Sequence, residues 1–247
     1  FLLLSALLGL LLNGLTLLSF YKIRELRTPS NLFIISLAVA DTGLCLNAFV
    51  AAFSSFLRYW PYGSEGCQIH GFQGFVAALS SIGSCAAIAW DRYHQYCTLF
   101  AGSKLHWSTA VSVVFFIWGF SAFWSAMPLF GWGEYDYEPL RTCCTLDYSK
   151  GDRNYISYLF TMAFFEFLVP LFILMTAYQS IYQKMKKSGQ LKRFKNLDSC
   201  WCNSWVIFQF NTSMPVKSLV FCWGPYCLLC FYAVIQDATI LSPKLRM

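Results

Sequence analysis

Residues 32–57 read LFIISLAVADTGLCLNAFVAAFSSFL, an apolar run in which Asp41 is the one charged side chain. A helix needs ~20 consecutive, mostly apolar residues to cross the hydrocarbon core of a bilayer, and this run meets that length. Comparable runs lie near 1–20, 69–97, 108–130, 155–185 and 216–236, and the start of a seventh lies at 239–247. The sequence therefore predicts an all-α bundle of the seven-helix type, with the seventh helix truncated, as a single transmembrane domain over 1–247.

The composition also indicates that lipid is the solvent. The 247 residues are 57% hydrophobic and 12% charged, and the mean hydropathy is +0.50. A soluble domain usually carries about a quarter charged residues, so this chain has roughly half of that share. Six long apolar runs are too many for the core of one soluble helical protein.

The first run begins at residue 1 without the basic segment and small-residue cleavage site that define a signal peptide. We therefore expect a spanning helix there, and we expect the chain to be part of a longer one at both ends.

The basic residues predict the orientation. If the segment after the first run is cytoplasmic, that side holds twelve of the eighteen Lys and Arg, namely Lys22, Arg24, Arg27, Arg92, Lys104, Lys184, Lys186, Lys187, Lys192, Arg193, Lys195 and Lys217. Such an excess predicts a multi-pass protein with its amino terminus outside or lumenal. The net charge of +6 is then an insertion signal, and no nucleic-acid partner is expected.

Polar and helix-distorting residues recur inside the runs, where an ionisable side chain is costly and is a functional candidate. They are Asn13, Asp41, the triplet Asp91-Arg92-Tyr93, Trp118, Pro170, Tyr178 and the segment Cys222-Trp223-Gly224-Pro225. A proline within a spanning helix removes a backbone hydrogen bond and kinks the helix.

Together with Cys67, these residues resemble the rhodopsin-like (class A) G-protein-coupled receptors, in order and over nearly the whole chain. The resemblance implies that Asn13 and Asp41 belong to a buried polar network. It also implies that Asp91, Arg92, Tyr93 and Tyr178 couple to a heterotrimeric G protein, with Trp223 beneath the ligand.

Three longer stretches narrow the resemblance: WPYGSEGCQIHGFQGF (60–75), AWDRYHQYC (89–97) and YDYEPLRTCCTLDY (135–148). They are similar to non-visual opsins close to the retinochromes and peropsins. That resemblance implies a retinal-binding opsin that takes all-trans-retinal and acts as a light-driven isomerase in the visual cycle. The alternatives are a light- or ligand-activated signalling receptor, or a truncated product inactive in both roles.

A retinal site requires an apolar, aromatic slot with few polar groups. The candidate walls are His70, Phe72, Phe75, Tyr148, Phe164, Phe165, Trp223 and Tyr226, although with 24 Phe in the chain part of this set could be ordinary packing. The family lysine that holds retinal covalently is expected about seven residues beyond Met247, and Lys244 is not that lysine.

Two residues compete as the counterion that a covalently held retinal requires. By resemblance, His70 occupies the position where many visual pigments carry Glu, but a neutral imidazole serves poorly there. Glu138 matches a loop carboxylate that several opsins use, or is an exposed acid of the loop. Glu166 is a third acid, which either touches the ring end of a ligand or is neutral and hydrogen-bonded to a neighbouring helix.

Cys67, Cys143 and Cys144 lie in predicted outer segments, where disulfides form. A bridge from Cys67 to one of the other two would hold the loop over the bundle; the sequence leaves the partner open, and we favour Cys144.

Residues 191–210 match nothing in the family and form an atypical inner-loop insertion: a species-specific loop, an interfacial helix or translated non-coding sequence. Cys200 and Cys202 have the wrong spacing for zinc, so we predict neither a metal site nor a catalytic side chain.

Overall fold

The computed structural model describes residues 2–97, 105–138, 140–147 and 153–187. Five helices in this part of the chain are long and apolar enough to cross a membrane. They are α1 (Leu2–Lys22), α2 (Leu32–Leu57), α3 (Gly63–Cys97), α4 (Trp107–Ala126) and α5 (Arg153–Lys187). Short 3-10 turns follow α1 at Arg24–Leu26 and α4 at Met127–Phe130. The predicted helices at 216–236 and 239–247 and the insertion at 191–210 lie outside the described residues.

The third helix is the centre of the bundle and packs against α2, α4 and α5. It begins at Gly63, six residues before the start that the apolar pattern predicts, because the polar segment before residue 69 continues the helix above the apolar run. Its buried positions are mostly small, including Ala77, Ala78, Ser80 and Ser84. Small side chains let helix backbones approach closely in a membrane, where van der Waals packing and interhelical hydrogen bonds drive association.

Serine hydroxyls join the helices around α3. Ser36 of α2 lies 2.9 Å from the hydroxyl of Ser84, and the indole of Trp118 on α4 donates to Ser36 at 3.0 Å. The first helix packs on α2. Its Leu4, Leu8 and Leu11 side chains are exposed, as expected for a surface that faces lipid.

The fifth helix is interrupted by a π turn at Phe164–Leu168, between α-helical parts at Arg153–Ala163 and Val169–Lys187. Pro170 follows this turn directly. Proline has no N–H to donate to the carbonyl four residues earlier, which here belongs to Glu166. The sequence predicts a kink in this helix; the structure shows that the irregularity takes the form of a π turn, a feature often found at functional sites.

Candidate functional site

A β-hairpin between α4 and α5 covers one end of the bundle; we call this the outer end and the opposite end the inner end, as labels for the two ends. Strands β1 (Tyr135–Tyr137) and β2 (Cys144–Leu146) are antiparallel, with Tyr137 opposite Cys144. A disulfide joins Cys67, near the start of α3, to Cys144 of β2. The predicted pairing is confirmed, and Cys143 is a free cysteine.

Tyr135 fixes the other side of the hairpin. Its hydroxyl donates to the carbonyl oxygen of Ser125 at 2.9 Å, and its ring meets Phe75 edge-on at a centroid distance of 5.6 Å. The ring lies directly against Gly71, where an added Cβ would be 2.6 Å from Tyr135 Cδ1. A side chain on α3 at this position would therefore displace the hairpin. Burial also raises the pKa of Tyr135, so its hydroxyl stays a donor.

Beneath the hairpin lies a cavity of about 220 Å³, far larger than the ~10–15 Å³ that holds one water molecule. Its walls are mostly apolar and come from α2, α3, the hairpin and α5. They are Leu44, Asn47, His70, Gly71, Gly74, Phe75, Ala78, Leu79, Ile82, Glu138, Cys143, Cys144, Thr145, Leu159, Met162, Ala163, Glu166 and Phe167. Six of the residues named in the sequence analysis thus come together here: His70, Phe75, Glu138, Cys143, Cys144 and Glu166.

The outer end of the cavity is polar. His70 is buried, and its Nε2 lies 3.5 Å from Sγ of Cys143. The N–H of Glu138 donates to the carbonyl oxygen of Cys143 at 3.0 Å, which places the two residues opposite each other in the hairpin. The amide of Asn47 on α2 donates to the carbonyl oxygen of His70 at 2.8 Å. The hairpin and two helices therefore hold an imidazole, a carboxyl and a thiol at one end of an apolar cavity.

The electrostatics of this end follow from its burial. Desolvation raises the pKa of Glu138 above the ordinary 4.5. It also raises the pKa of the Cys143 thiol to about 12, with a further contribution from Glu138, so the thiol is protonated at neutral pH. None of the lining residues that the structure describes is a lysine or an arginine. A cation that entered this end would therefore meet the Glu138 carboxyl without a competing basic side chain among these lining residues.

Glu166 lies in the wall of the cavity contributed by the π turn. The side chain is 4% exposed, and its Oε1 has no hydrogen-bond partner among the described residues. Of the two interpretations offered by the sequence, a hydrogen bond to a neighbouring helix has no counterpart in the described part of the chain.

The other predicted wall residues are placed differently. Phe72 is partly buried and does not line this cavity. Phe164 and Phe165 are 52% and 42% exposed, and Phe165 stacks on Trp124 at a centroid distance of 5.8 Å. Tyr148, Trp223 and Tyr226 lie outside the described residues.

Sequence reasoning missed Asn47, Thr145 and Cys143 as parts of this site. Asn47 was detectable, since it is a polar residue inside an apolar run. The other two reach the cavity only because the loop folds into a hairpin.

The remaining polar residues occupy the middle and the inner end of the bundle. Ser81 donates to Asp41 at 2.8 Å, and the Asn13 amide donates within α1 to the carbonyl of Gly9 at 3.0 Å. Asp91 is buried and accepts hydrogen bonds from Ser30 at 3.2 Å and Gln95 at 2.7 Å.

Tyr93 and Tyr178, one on α3 and one on α5, pack against the same buried cluster that includes Ala89, Leu174 and Ala177. Arg92 follows Asp91 at the inner end of α3. The structure therefore brings the predicted coupling residues to one end of the bundle, opposite the hairpin.

Comparison with known proteins identifies the family that shares this architecture. The model of the seven-transmembrane receptors of the rhodopsin family matches residues 12–246. The human RPE-retinal G protein-coupled receptor is 59% identical over the whole chain, which covers 78% of that protein, and human visual pigment-like receptor peropsin is 28% identical and covered to 73%. The crystal structure of squid rhodopsin superposes with a TM-score of 0.85 at 25% identity, over all of this chain and 74% of its own. The chain is therefore an integral, multi-pass membrane protein that belongs to the rhodopsin family of seven-transmembrane receptors and, within it, to the group of the RPE-retinal G protein-coupled receptor.

Proposed function

We propose that the chain is a retinal-binding opsin, and that its cavity holds all-trans-retinal and directs its isomerisation in light. The observation that carries the proposal is the cavity beneath the disulfide-anchored hairpin, which is apolar along its walls and polar at its outer end. Small-molecule sites generally have this character, with few polar groups that fix the orientation of an apolar ligand. The relatives named for retinal or for visual pigments support the same ligand.

The described residues fit a long polyene. Phe75, Leu79, Ile82 and Phe167 provide apolar surface, and Gly74 and Ala78 keep the α3 side of the cavity open. An added Cβ at Gly74 would approach Asn47 Nδ2 to 3.0 Å, so the glycine leaves room for both the amide and a ligand.

Retinal, when bound, would supply the light-absorbing double bonds, and the protein would fix which part of the ligand can turn. We propose that the oxygen end of the ligand lies near His70 and Glu138. Glu138 is half-buried and partly desolvated, so an opposite charge placed beside it would interact strongly and hold the carboxyl ionised. This is the property expected of a counterion. The packed walls and the fixed hairpin would restrict rotation elsewhere along the chain of double bonds.

The lysines of the described residues are Lys22, Lys184, Lys186 and Lys187, at the ends of α1 and α5 away from the hairpin. An ammonium group at a helix end reaches water readily. We therefore propose that the lysine expected to hold retinal covalently is supplied from outside the described residues.

Coupling to a G protein is a second candidate function. Its support is the inner end of the bundle, where Asp91, Tyr93 and Tyr178 are packed in place and Arg92 is present. We propose that this end faces the cytoplasm, in agreement with the distribution of basic residues, and that the hairpin faces the outside or lumen.

The two functions can be separated with one preparation. Protein in lipid nanodiscs is given all-trans-retinal and illuminated, and the retinal isomers extracted from it are compared with those from empty nanodiscs. In the same preparation, nucleotide exchange is measured on an added G protein. A specific change in isomer composition supports photoisomerisation, and light-dependent exchange supports signalling. An isomer composition equal to that in empty nanodiscs contradicts the isomerase proposal.

Leu44→Trp tests the site itself, because Leu44 lines the cavity and a larger ring would fill it. Leu46→Trp is the matched control on the same helix, since Leu46 is 52% exposed and does not line the cavity. We expect Leu44→Trp to abolish specific retinal binding and Leu46→Trp to retain it.

A further inference from the structure

A second cavity lies on the outer surface of the bundle, in a groove between α3, α4 and α5. Its volume is about 530 Å³, more than twice that of the cavity beneath the hairpin. Ala86 of α3, Val113 and Phe116 of α4, and Phe165 and Ile173 of α5 are among its walls. Phe116 is 67% exposed, so the groove opens towards the lipid.

Glu166 is the acid that lines this groove, and it also lines the cavity beneath the hairpin. The π turn places it in the wall between the two spaces, while Phe164 and Phe165 beside it are exposed. Its side chain is more than nine-tenths buried, and Oε1 has no hydrogen-bond partner among the described residues. Leaving a buried oxygen without a hydrogen bond is destabilising, so this carboxyl favours a ligand that brings a hydrogen-bonding group.

The depth of Glu166 restricts the ligand. It follows Arg153, the first residue of α5, by 13 positions, which is about 20 Å along a helix that rises 1.5 Å per residue. Lys187 at the other end of the helix lies roughly 30 Å beyond Glu166 by the same rise, so a hydrocarbon core of ~30 Å centred on this helix contains the carboxyl. The carboxyl is therefore expected to be neutral, with one O–H donor and a carbonyl acceptor. A charged lipid headgroup, or a sterol whose hydroxyl stays at the interface, does not reach this depth.

We infer that the groove between α3, α4 and α5 is a second retinoid site, which takes a free retinoid from the bilayer and pairs its terminal oxygen with Glu166. The inference rests on the proposed function, because a retinal-binding protein draws its ligand from the membrane. An apolar chain with a single oxygen matches a groove of apolar walls with a single buried acid. The groove runs from Glu166 and Ser121 towards Trp90 and Val113, so the ring end of the retinoid lies towards the inner leaflet.

The two sites are distinguishable because they have different walls. In the described part of the chain, α4 lines the groove and not the cavity, whereas the hairpin lines the cavity and not the groove. A diazirine-bearing retinol, photolysed with the protein in phosphatidylcholine nanodiscs, should therefore label peptides of α4 as well as peptides of the hairpin. Labelling of the hairpin alone overturns the second site, and absence of hairpin labelling counts against the proposed function.

Variants of the groove sharpen the test. Val113→Trp should abolish labelling of α4 and leave hairpin labelling unchanged, while Val111→Trp, on the same helix but outside the groove, should leave both unchanged. Glu166→Leu should weaken α4 labelling about tenfold, since the retinol hydroxyl would lose its partner. Glu166→Gln keeps a donor and an acceptor and should restore it.

Two outcomes would replace the retinoid by another occupant. Cholesterol that competes with the probe at equal concentration would make the groove a general sterol site. If two copies of the chain cross-link through α4, and Val113→Trp removes this cross-link, the groove is a contact surface between two chains. Either result overturns the inference.

Discussion

The substitution Gly71→Ala tests how the hairpin is seated on the bundle. The new Cβ would lie 2.6 Å and 2.8 Å from Cδ1 and Cγ of Tyr135. That ring cannot rotate away cheaply, because it is 4% exposed and its hydroxyl is bonded to the carbonyl of Ser125 at 2.9 Å. Overpacking of this kind typically costs about 1–3 kcal/mol, which opposes the roughly 0.5–1 kcal/mol that alanine gains over glycine within a helix.

Gly119→Ala is the matched control, because an added Cβ on that α4 glycine meets nothing within 4 Å. The helix-propensity gain applies to both variants, so the difference in their stability isolates the overpacking cost. We expect Gly71→Ala to melt below Gly119→Ala by roughly 2–4 °C for each kcal/mol. The assay is thermal unfolding in detergent, followed with a thiol-reactive dye.

The same contact should appear in a double-mutant cycle. Tyr135→Ala removes the ring that meets the new Cβ, so the cost of Gly71→Ala should largely disappear in that background. Retinal binding should weaken in Gly71→Ala, because the hairpin contributes Glu138 and Thr145 to the cavity wall and its displacement would move them. Equal melting temperatures for Gly71→Ala and Gly119→Ala would refute the close seating of the hairpin.

Three further predictions concern the outer end and the orientation. Cys67→Ala should lower surface expression, because the disulfide contributes typically ~2–4 kcal/mol, whereas Cys143→Ala should not; equal effects in a surface-labelling assay would contradict the pairing. Because burial raises the pKa of Glu138, the ligand-free protein favours the protonated carboxyl. The free energy of unfolding of the unmodified protein should therefore fall, relative to that of Glu138→Gln, as the pH rises from below 4.5 through the raised pKa. The two proteins are melted at pH 4 and at pH 7.5; a difference between their melting temperatures that is the same at both pH values would count against the burial of Glu138. An epitope at Ser149 should be labelled on intact cells and one at Ser188 should not, and the reverse result would invert the proposed orientation.

Much of the fold follows from local sequence. Runs such as 32–57 are long enough to span the bilayer and too apolar for water. In lipid every backbone polar group must be satisfied internally, which leaves the helix as the structure for a single apolar run. The family followed from motifs at fixed positions along those helices, and the comparisons confirm it.

The site was predicted less completely. His70, Phe75 and Glu138 line the cavity, and Phe164 and Phe165 do not; the predicted contacts of all five with retinal stay predictions. A π turn shifts which side chains face inward, and no helical periodicity read from the sequence anticipates that shift. The roles of Glu138 and of the coupling residues stay predictions.

The sequence alone determined that the protein lies in a lipid bilayer, that it is helical and which family it belongs to, because these properties depend on hydropathy and on motifs that are local in the chain. The tertiary structure alone decided that Cys144 rather than Cys143 pairs with Cys67, and that Cys143 instead lies beside His70. It also decided that Glu166 stands between an interior cavity and a lipid-facing groove. Those relations join residues far apart in sequence, so they exist only once the hairpin and the helices have packed.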